Sequence, residues 1–196
     1  IVGDLKGVLG GIVAQLSKEG ASPETAAWVA QIAEWRRRHP FYHPNVGDAP
    51  GEIVPEVVME KLSDALDPEH SIVVTEVGQH QMWAAQHIAR ECPLSFISSG
   101  GLGTMGFGFP ASIGAAIGCP DKTVVCVAGD GSFQMNSQEM ATAGIHRVPV
   151  KVLVMDNRCL GMVHQWQHLF YGERYSSTLL DANPDFVKLA DAYGWQ

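Results

Sequence analysis

The chain has 196 residues, of which 46% are hydrophobic and 17% are charged, and its formal net charge is -8. This length accommodates one well-cored domain, or one domain with an appended arm. The acidic balance and the scattered basic residues argue against a nucleic-acid partner, and no apolar run approaches the roughly 18 residues that a membrane span needs. The four cysteines form no C-x-x-C pair, so we expect a soluble protein of the reducing cytoplasm, with any organelle-targeting segment lying upstream.

The first 51 residues are predicted to form a helical arm and a linker. Helical patterns cover residues 5–18 and 22–38, and Ser22 as N-cap with Pro23 in the first turn marks the start of the second helix. Residues 39–51 are rich in proline and glycine, which break both the helical and the strand periodicity. This stretch is therefore interpreted as the connection to a following domain.

The remaining residues, 52–196, are predicted to form the main domain. Helical patterns alternate with short, continuously apolar segments, which is typical of an α/β fold: a doubly wound parallel sheet with helices on both faces. The chain opens without an initiator methionine and stops just after a helical pattern, so we expect a piece of a larger protein, truncated at the C-terminus of this domain. The predicted helices are 53–66, 82–89, 110–117, 137–145, 162–170 and 184–193, and the predicted strands are 72–75, 95–97, 123–128 and 150–155.

An acid and an amide follow two of these strands. Asp130 comes just after strand 123–128, and Asn157 comes just after strand 150–155. Since the carboxyl ends of parallel strands meet at one edge of a sheet, both side chains are expected at that edge. Magnesium takes such oxygen ligands in near-octahedral geometry, together with phosphates and water. The backbone carbonyl of Cys159 would supply a third protein oxygen.

The residues around Asp130 also suit a diphosphate. Gly129 and Gly131 let the backbone approach a phosphate group closely, and Ser132 can donate a hydrogen bond or cap the following segment. A Gly-Asp-Gly sequence alone is also compatible with an ordinary β-turn. The interpretation therefore depends on the motifs that surround it.

Four motifs together resemble one family of thiamine diphosphate enzymes. They are Val77-Gly78-Gln79-His80-Gln81-Met82-Trp83-Ala84-Ala85-Gln86, Ser98-Ser99-Gly100-Gly101-Leu102-Gly103-Thr104-Met105-Gly106, Gly129-Asp130-Gly131-Ser132-Phe133-Gln134-Met135-Asn136, and Gly161-Met162-Val163-His164-Gln165-Trp166-Gln167. In sequence and order they resemble the C-terminal cofactor domain of the catalytic large subunit of acetolactate synthase (acetohydroxyacid synthase). The resemblance covers roughly residues 52–196 and implies the thiamine diphosphate-binding fold.

The resemblance implies a role for each of several residues. Asp130, Asn157 and the carbonyl of Cys159 would hold Mg²⁺, while the side chain of Met105 would force the cofactor into its bent form and Trp166 would line the pocket of a second oxoacid. The implied catalytic residues are Met105, Met162, Val163 and Trp166. The implied cofactor-binding residues are Val77, Gly78, Gln79, His80, Gly103, Met105, Gly129, Asp130, Gly131, Ser132, Asn157, Gly161 and Met162.

The same resemblance implies the reaction and the partners. The full-length enzyme would decarboxylate pyruvate and join the two-carbon unit to a second 2-oxoacid, giving 2-acetolactate or 2-aceto-2-hydroxybutyrate for branched-chain amino acid synthesis. A second catalytic subunit would supply the activating glutamate, a preceding domain would hold FAD, and a regulatory small subunit is possible in this family. The 196 residues by themselves are therefore expected to be inactive. Whether the parent is the anabolic FAD-dependent enzyme or the catabolic FAD-independent one stays open.

Other interpretations of these patterns remain. The parent could be another thiamine diphosphate-dependent decarboxylase or oxidase of 2-oxoacids, or the chain could be a non-catalytic nucleotide-binding module of Rossmann type. The glycines of Gly101-x-Gly103-x-x-Gly106 resemble a dinucleotide fingerprint, but the expected ribose-binding acid about twenty residues later is missing.

Further local patterns carry less weight. His164 and His168 have the spacing of a zinc pair on one helix but no third ligand, so we expect a packed or solvated face. Asp156 is an acid where the family commonly has asparagine, and the thiol of Cys159 is an alternative metal ligand that a hard cation disfavours.

Overall fold

The computed structural model describes residues 2–20, 24–40, 51 and 53–195. The chain divides into two compact units, Ile1–Pro44 and Asn45–Gln196. None of the helices in the described residues is long and apolar enough to cross a membrane.

The first unit contains two helices, α1 (Leu5–Glu19) and α2 (Ala26–Arg38). The side chain of Asp4 caps α1 by accepting a hydrogen bond from the backbone of Gly7. The sequence-based start of the second helix was too early, because residues 24 and 25 are not helical. The predicted N-cap Ser22 and first-turn Pro23 lie outside the described residues, as does most of the predicted linker.

The described part of the second unit is built on a four-stranded, all-parallel sheet with the order β2-β1-β3-β4. The fold-class prediction is confirmed. The strands are β1 (Ser71–Thr75), β2 (Phe96–Ser98), β3 (Thr123–Gly129) and β4 (Val150–Met155). The helices are α3 (Pro55–Ala65), α4 (Gln79–His87), α5 (Gly108–Gly118), α6 (Asp130–Gln134), α7 (Met140–His146), α8 (Gly161–Phe170) and α9 (Phe186–Ala192), with a 3-10 turn at Ser137–Glu139.

Two apolar clusters cover the two faces of the sheet. Alternate side chains point to opposite faces of a strand, so that Val74 of β1 packs with Phe109 of α5 on one face, while Val73 packs with Met59 of α3 and Ala84 of α4 on the other. Helices on both faces explain why the strands read as continuous apolar runs rather than as alternating ones.

Helix α5 approaches the sheet unusually closely at its first residue. A side chain at Gly108 would meet the backbone nitrogen of Glu76 at 2.5 Å and the carbonyl oxygen of Thr75 at 2.6 Å. Only glycine permits this approach, which brings the turn before α5 to the carboxyl end of β1.

Several predicted boundaries were wrong. Helix α4 begins at Gln79 rather than at residue 82, and it ends at His87. The segment after β3, to which the sequence pattern assigned no helix, forms the short helix α6, and the predicted helix 137–145 is a 3-10 turn followed by α7. Side-chain periodicity does not resolve such short elements, because they are stabilised by packing rather than by an amphipathic face.

Candidate functional site

The main cavity lies at the carboxyl edge of the sheet. Strand β1 has β2 on one side and β3 on the other, so the strand order reverses direction between β1 and β3. In open α/β sheets, ligands bind in the crevice outside the carboxyl ends of the strands at such a point. A cavity of about 220 Å³ opens there. It is lined by Val77, Gly78, Gln79, His80, Trp83, Gly103, Met105, Gly129, Asp130, Gly131, Ser132, Met155, Asn157, Cys159, Leu160, Gly161, Met162 and Val163.

The cavity brings together all of the sequence-predicted site residues except Trp166. Four distant segments of the chain contribute to it, at the ends of β1, β3 and β4 and in the turn before α5. The lining also contains Trp83, Met155 and Leu160, which the sequence did not single out because each reads as an ordinary core residue.

The first turn of α4 faces the cavity with two polar side chains. Gln79 donates to Oε1 of Gln165 at 3.3 Å and accepts from Nδ2 of Asn157 at 3.4 Å. His80 follows it, and both lie where the free backbone N–H groups and the dipole of a helix favour an anion. The amide of Gln79 thereby links the ends of β1 and β4.

His80 is 5% exposed, and its Nε2 atom has no hydrogen-bond partner among the described residues. Burial lowers the pKa of His80 to about 4, although a hydrogen bond to the backbone carbonyl of Glu76 opposes this shift. Because Nε2 is unpaired, that hydrogen bond comes from Nδ1, which carries the proton of the neutral ring. The cavity therefore contains a buried polar atom for which the described part of the chain provides no hydrogen-bond partner.

Asp130 is 2% exposed and begins α6 directly after β3. Its Oδ2 accepts a hydrogen bond of 2.7 Å from Nδ2 of Asn183. Burial raises the pKa of Asp130, the bond from Asn183 lowers it, and the neighbouring charge of Asp156 raises it again. Ser132, also buried, exchanges hydrogen bonds with the backbone of Gly129 at 3.2 and 3.3 Å and so fixes the end of the strand.

The turn after β4 presents Asn157 and Cys159 to the same cavity. Oδ1 of Asn157 accepts from the backbone nitrogen of Cys159 at 3.2 Å, and Arg158 between them has a left-handed φ of 55°. Backbone hydrogen bonds from Leu160 to Thr178 and from Leu180 to Arg158 tie this turn to the segment before α9. Two backbone hydrogen bonds therefore fix the turn against residues 178–180.

Glu76, which no sequence motif singled out, supports the turn that carries Met105. Its side chain is fully buried, and its two carboxylate oxygens accept from the backbone nitrogens of Gly106 at 2.8 Å and Phe109 at 2.9 Å. Burial raises the pKa of Glu76, and these backbone donors lower it. An acid directly after a fully buried strand was the available sequence signal.

Trp166 occupies a different position. It is 55% exposed and lines an open depression with Val163, Gln167, Tyr171 and Arg174. Val163 borders both this depression and the main cavity. The side chain of Val163 therefore lies between the main cavity, which the predicted cofactor residues line, and the depression that contains Trp166.

The alternative metal sites have little structural support. The ring of His164 stacks on Tyr175 with centroids 4.2 Å apart, and Nδ1 of His168 lies 3.0 Å from the hydroxyl of that tyrosine. Within the described ranges, no group of three His, Cys, Asp or Glu side chains could hold a metal ion. Burial, and then the charge of Asp130, raise the pKa of the Cys159 thiol, which disfavours a thiolate ligand.

The residues around the cavity fit a magnesium diphosphate group. The unpaired Nε2 of His80 and the N-terminus of α4 suit a phosphate, and the carboxylate, amide and carbonyl oxygens of Asp130, Asn157 and Cys159 are ligands that Mg²⁺ accepts. A side chain at Gly161 would collide with Oε1 of Gln79 and Nδ2 of Asn157, so glycine keeps this end of the cavity open.

Comparison with known proteins gives a consistent result. Residues 76–196 match the family model described as thiamine pyrophosphate enzyme, C-terminal TPP binding domain. The chain is 51% identical over 167 residues to the acetolactate synthase isozyme 2 large subunit of Escherichia coli (strain K12), covering 85% of this chain and 30% of that protein. It is 48% identical over 195 residues to the acetolactate synthase large subunit of Parasynechococcus marenigrum (strain WH8102), covering 99% of this chain and 31% of that protein.

A eukaryotic relative is similar to the same extent. The chain is 47% identical over 182 residues to the mitochondrial acetolactate synthase catalytic subunit of Saccharomyces cerevisiae (strain ATCC 204508 / S288c), covering 91% of this chain and 26% of that protein. The chain thus spans about 30% of the length of the curated relatives it matches.

Proposed function

Because the chain belongs to the thiamine pyrophosphate enzyme family and carries its C-terminal TPP-binding domain, we propose that the main cavity binds thiamine diphosphate with Mg²⁺ in an acetolactate-forming enzyme. The observation that carries the proposal is the convergence of four separated motifs on one cavity. The names of the relatives at 47% to 51% identity support acetolactate formation, and we propose pyruvate as the substrate.

Polar residues at one end of the cavity would hold the charged part of the cofactor. Asp130, Asn157 and the carbonyl of Cys159 would coordinate Mg²⁺, and His80, Gln79 and Ser132 would contact the diphosphate together with backbone N–H groups. A dianionic group beside the unpaired Nε2 of His80 would favour protonation of that nitrogen. Cofactor binding would then be accompanied by proton uptake.

Apolar residues would orient the rings and exclude water. The backbone of Gly103 and Met105 would contact the pyrimidine ring, Met105 would support the bent conformation, and Met162 and Val163 would lie near the reactive carbon. When bound, thiamine diphosphate supplies a nucleophilic carbon and an electron sink for decarboxylation of 2-oxoacids. Trp166 would contact the second 2-oxoacid from the depression beyond Val163.

The activity of the whole protein also requires groups outside these residues. We propose that a second catalytic subunit supplies the activating glutamate, that a preceding domain of an anabolic parent holds FAD, and that a small subunit can regulate the enzyme. We also propose a domain boundary near Glu52 and a cytoplasmic location for the protein.

The central test replaces the carboxylate that is proposed to hold the cation. In the full-length protein, we expect Asp130→Ala to abolish magnesium-dependent binding of thiamine diphosphate, measured by isothermal titration calorimetry with and without Mg²⁺. Asp121→Ala is the control, since that acid is exposed in the turn between α5 and β3. Unchanged cofactor binding by the Asp130 variant would remove the proposal, and analysis of the products from pyruvate would separate a synthase from a decarboxylase or oxidase.

A further inference from the structure

Asn183, in the segment between α8 and α9, lies between two carboxylates at the carboxyl edge of the sheet. Its Nδ2 is 2.7 Å from Oδ2 of Asp130 and 2.9 Å from Oδ1 of Asp156. The sequence gives no local sign of this contact, because Asn183 is 53 positions from Asp130. One amide thus binds the end of β3 and the end of β4 at the same time.

The orientation of this amide is fixed by Gln134. Nε2 of Gln134 donates to the backbone carbonyl of Asp130 and to Oδ1 of Asn183, both at 3.0 Å. A carbonyl can only accept, so the atom of Gln134 that faces it must be the nitrogen. The atom of Asn183 that faces this nitrogen must then be its oxygen, which leaves Nδ2 directed at the two carboxylates.

Asn183 reaches Asp130 from outside the cavity. Asp130 lines the cavity, whereas neither Asn183 nor Asp156 does. The amide therefore contacts the carboxylate of Asp130 without itself lining the cavity. This arrangement is that of an outer residue orienting a ligand, and such residues commonly change metal affinity about 10- to 100-fold when they are removed.

The neighbouring Asp156 makes this contact more important. The carboxylates of Asp130 and Asp156 carry like charges and repel each other unless a hydrogen-bond donor lies between them. Asp156 also accepts a hydrogen bond of 3.1 Å from the backbone nitrogen of Arg158, which holds it in place. Without the N–H groups of Asn183, nothing would offset the repulsion between the two carboxylates, and the side chain of Asp130 would lose the orientation that this contact fixes.

We propose that Asn183 is a positioning residue for the cation, and that it orients Asp130 against the charge of Asp156. The proposal rests on the proposed binding of Mg²⁺ by Asp130. Gln134 contributes indirectly by setting the direction of the Asn183 amide. The segment before α9 is thereby connected to the proposed cation site without supplying a ligand to it.

The test measures Mg²⁺ affinity of the full-length protein by calorimetry at saturating thiamine diphosphate. We expect Asn183→Ala to weaken Mg²⁺ binding about tenfold. Asp185→Ala is the matched control: it removes the N-cap of α9 from the same segment, where its carboxylate accepts from the backbone of Val187 and Lys188, and we expect less than a twofold change in Mg²⁺ affinity.

A second background separates positioning from a merely structural role. In an Asp156→Asn background the repulsion is absent, and an amide at residue 156 can donate to Asp130. In that background, Asn183→Ala should weaken Mg²⁺ binding threefold or less. If Asn183→Ala does not fold, Gln134→Met removes the orienting donor while leaving Asn183 in place. This variant is expected to weaken Mg²⁺ binding about threefold when residue 156 is aspartate, but not in the Asp156→Asn background.

Three results would overturn the inference. Unchanged or tighter Mg²⁺ binding by the Asn183 or Gln134 variant would show that the amide does not position the ligand. An equal loss in both backgrounds, or the same loss with Asp185→Ala, would assign the effect to a disturbed segment. A wild-type protein that binds neither Mg²⁺ nor the cofactor would instead overturn the proposed function itself.

Discussion

His80 combines deep burial with an unpaired ring nitrogen, so its protonation is linked to the stability of the fold. Burial lowers the pKa of His80 to about 4, against an ordinary value of 6.5 in the unfolded chain. Between these pH values the unfolded chain binds more protons than the folded one, so stability falls as the pH falls from 6.5 toward 4. The full difference amounts to about 3 kcal/mol for this one group.

We therefore predict that His80→Asn reduces the pH dependence of unfolding. Asparagine can retain a donor to the backbone carbonyl of Glu76 but does not titrate, so proton uptake on unfolding near pH 5 should decrease by close to one. Equilibrium urea unfolding between pH 5 and pH 7 measures this slope. A slope in His80→Asn as steep as that of the wild-type protein would contradict the prediction.

At the scale of elements, Glu76 joins the end of β1 to the start of α5. Its two oxygens accept from the backbone nitrogens of Gly106 and Phe109, and the residue is fully buried. Removal of a carboxylate leaves these N–H groups buried without a partner, which costs about 1–3 kcal/mol for each such group. The turn that carries Met105 depends on the same hydrogen bonds.

We predict that Glu76→Ala lowers the free energy of unfolding by about 3 kcal/mol. Urea unfolding at neutral pH measures this loss. Glu91→Ala, which truncates an exposed acid, is the control, and it should change the free energy of unfolding by less than about 0.5 kcal/mol, as surface substitutions usually do. We also expect weaker binding of thiamine diphosphate, because the turn holding Met105 is released. A loss below about 1 kcal/mol would mean that the backbone donors find other partners.

The sequence predicted those parts of the site in which a local pattern carries the information. Asp130 and Asn157 follow apolar parallel strands, and this alone brings them to one edge of the sheet. Asn183 and Glu76 were not predicted, because each acts through contacts 27 or more positions away along the chain. The start of α4 was missed for a related reason: Gly78 provides no side-chain cap, so no N-terminal signal precedes Gln79.

At the scale of the whole molecule, the content of the cavity limits what these residues can do alone. Among its described lining residues, Asp130 is the only carboxylate, and it is proposed to bind Mg²⁺. The activating glutamate proposed above would then come from elsewhere in the assembly. We predict that a polypeptide of just these 196 residues forms no acetolactate from pyruvate with thiamine diphosphate and Mg²⁺, whereas the full-length protein does so in the same assay. Colorimetric detection of acetolactate provides the measurement, and product formation by the shorter polypeptide would show that its own residues supply the missing acid.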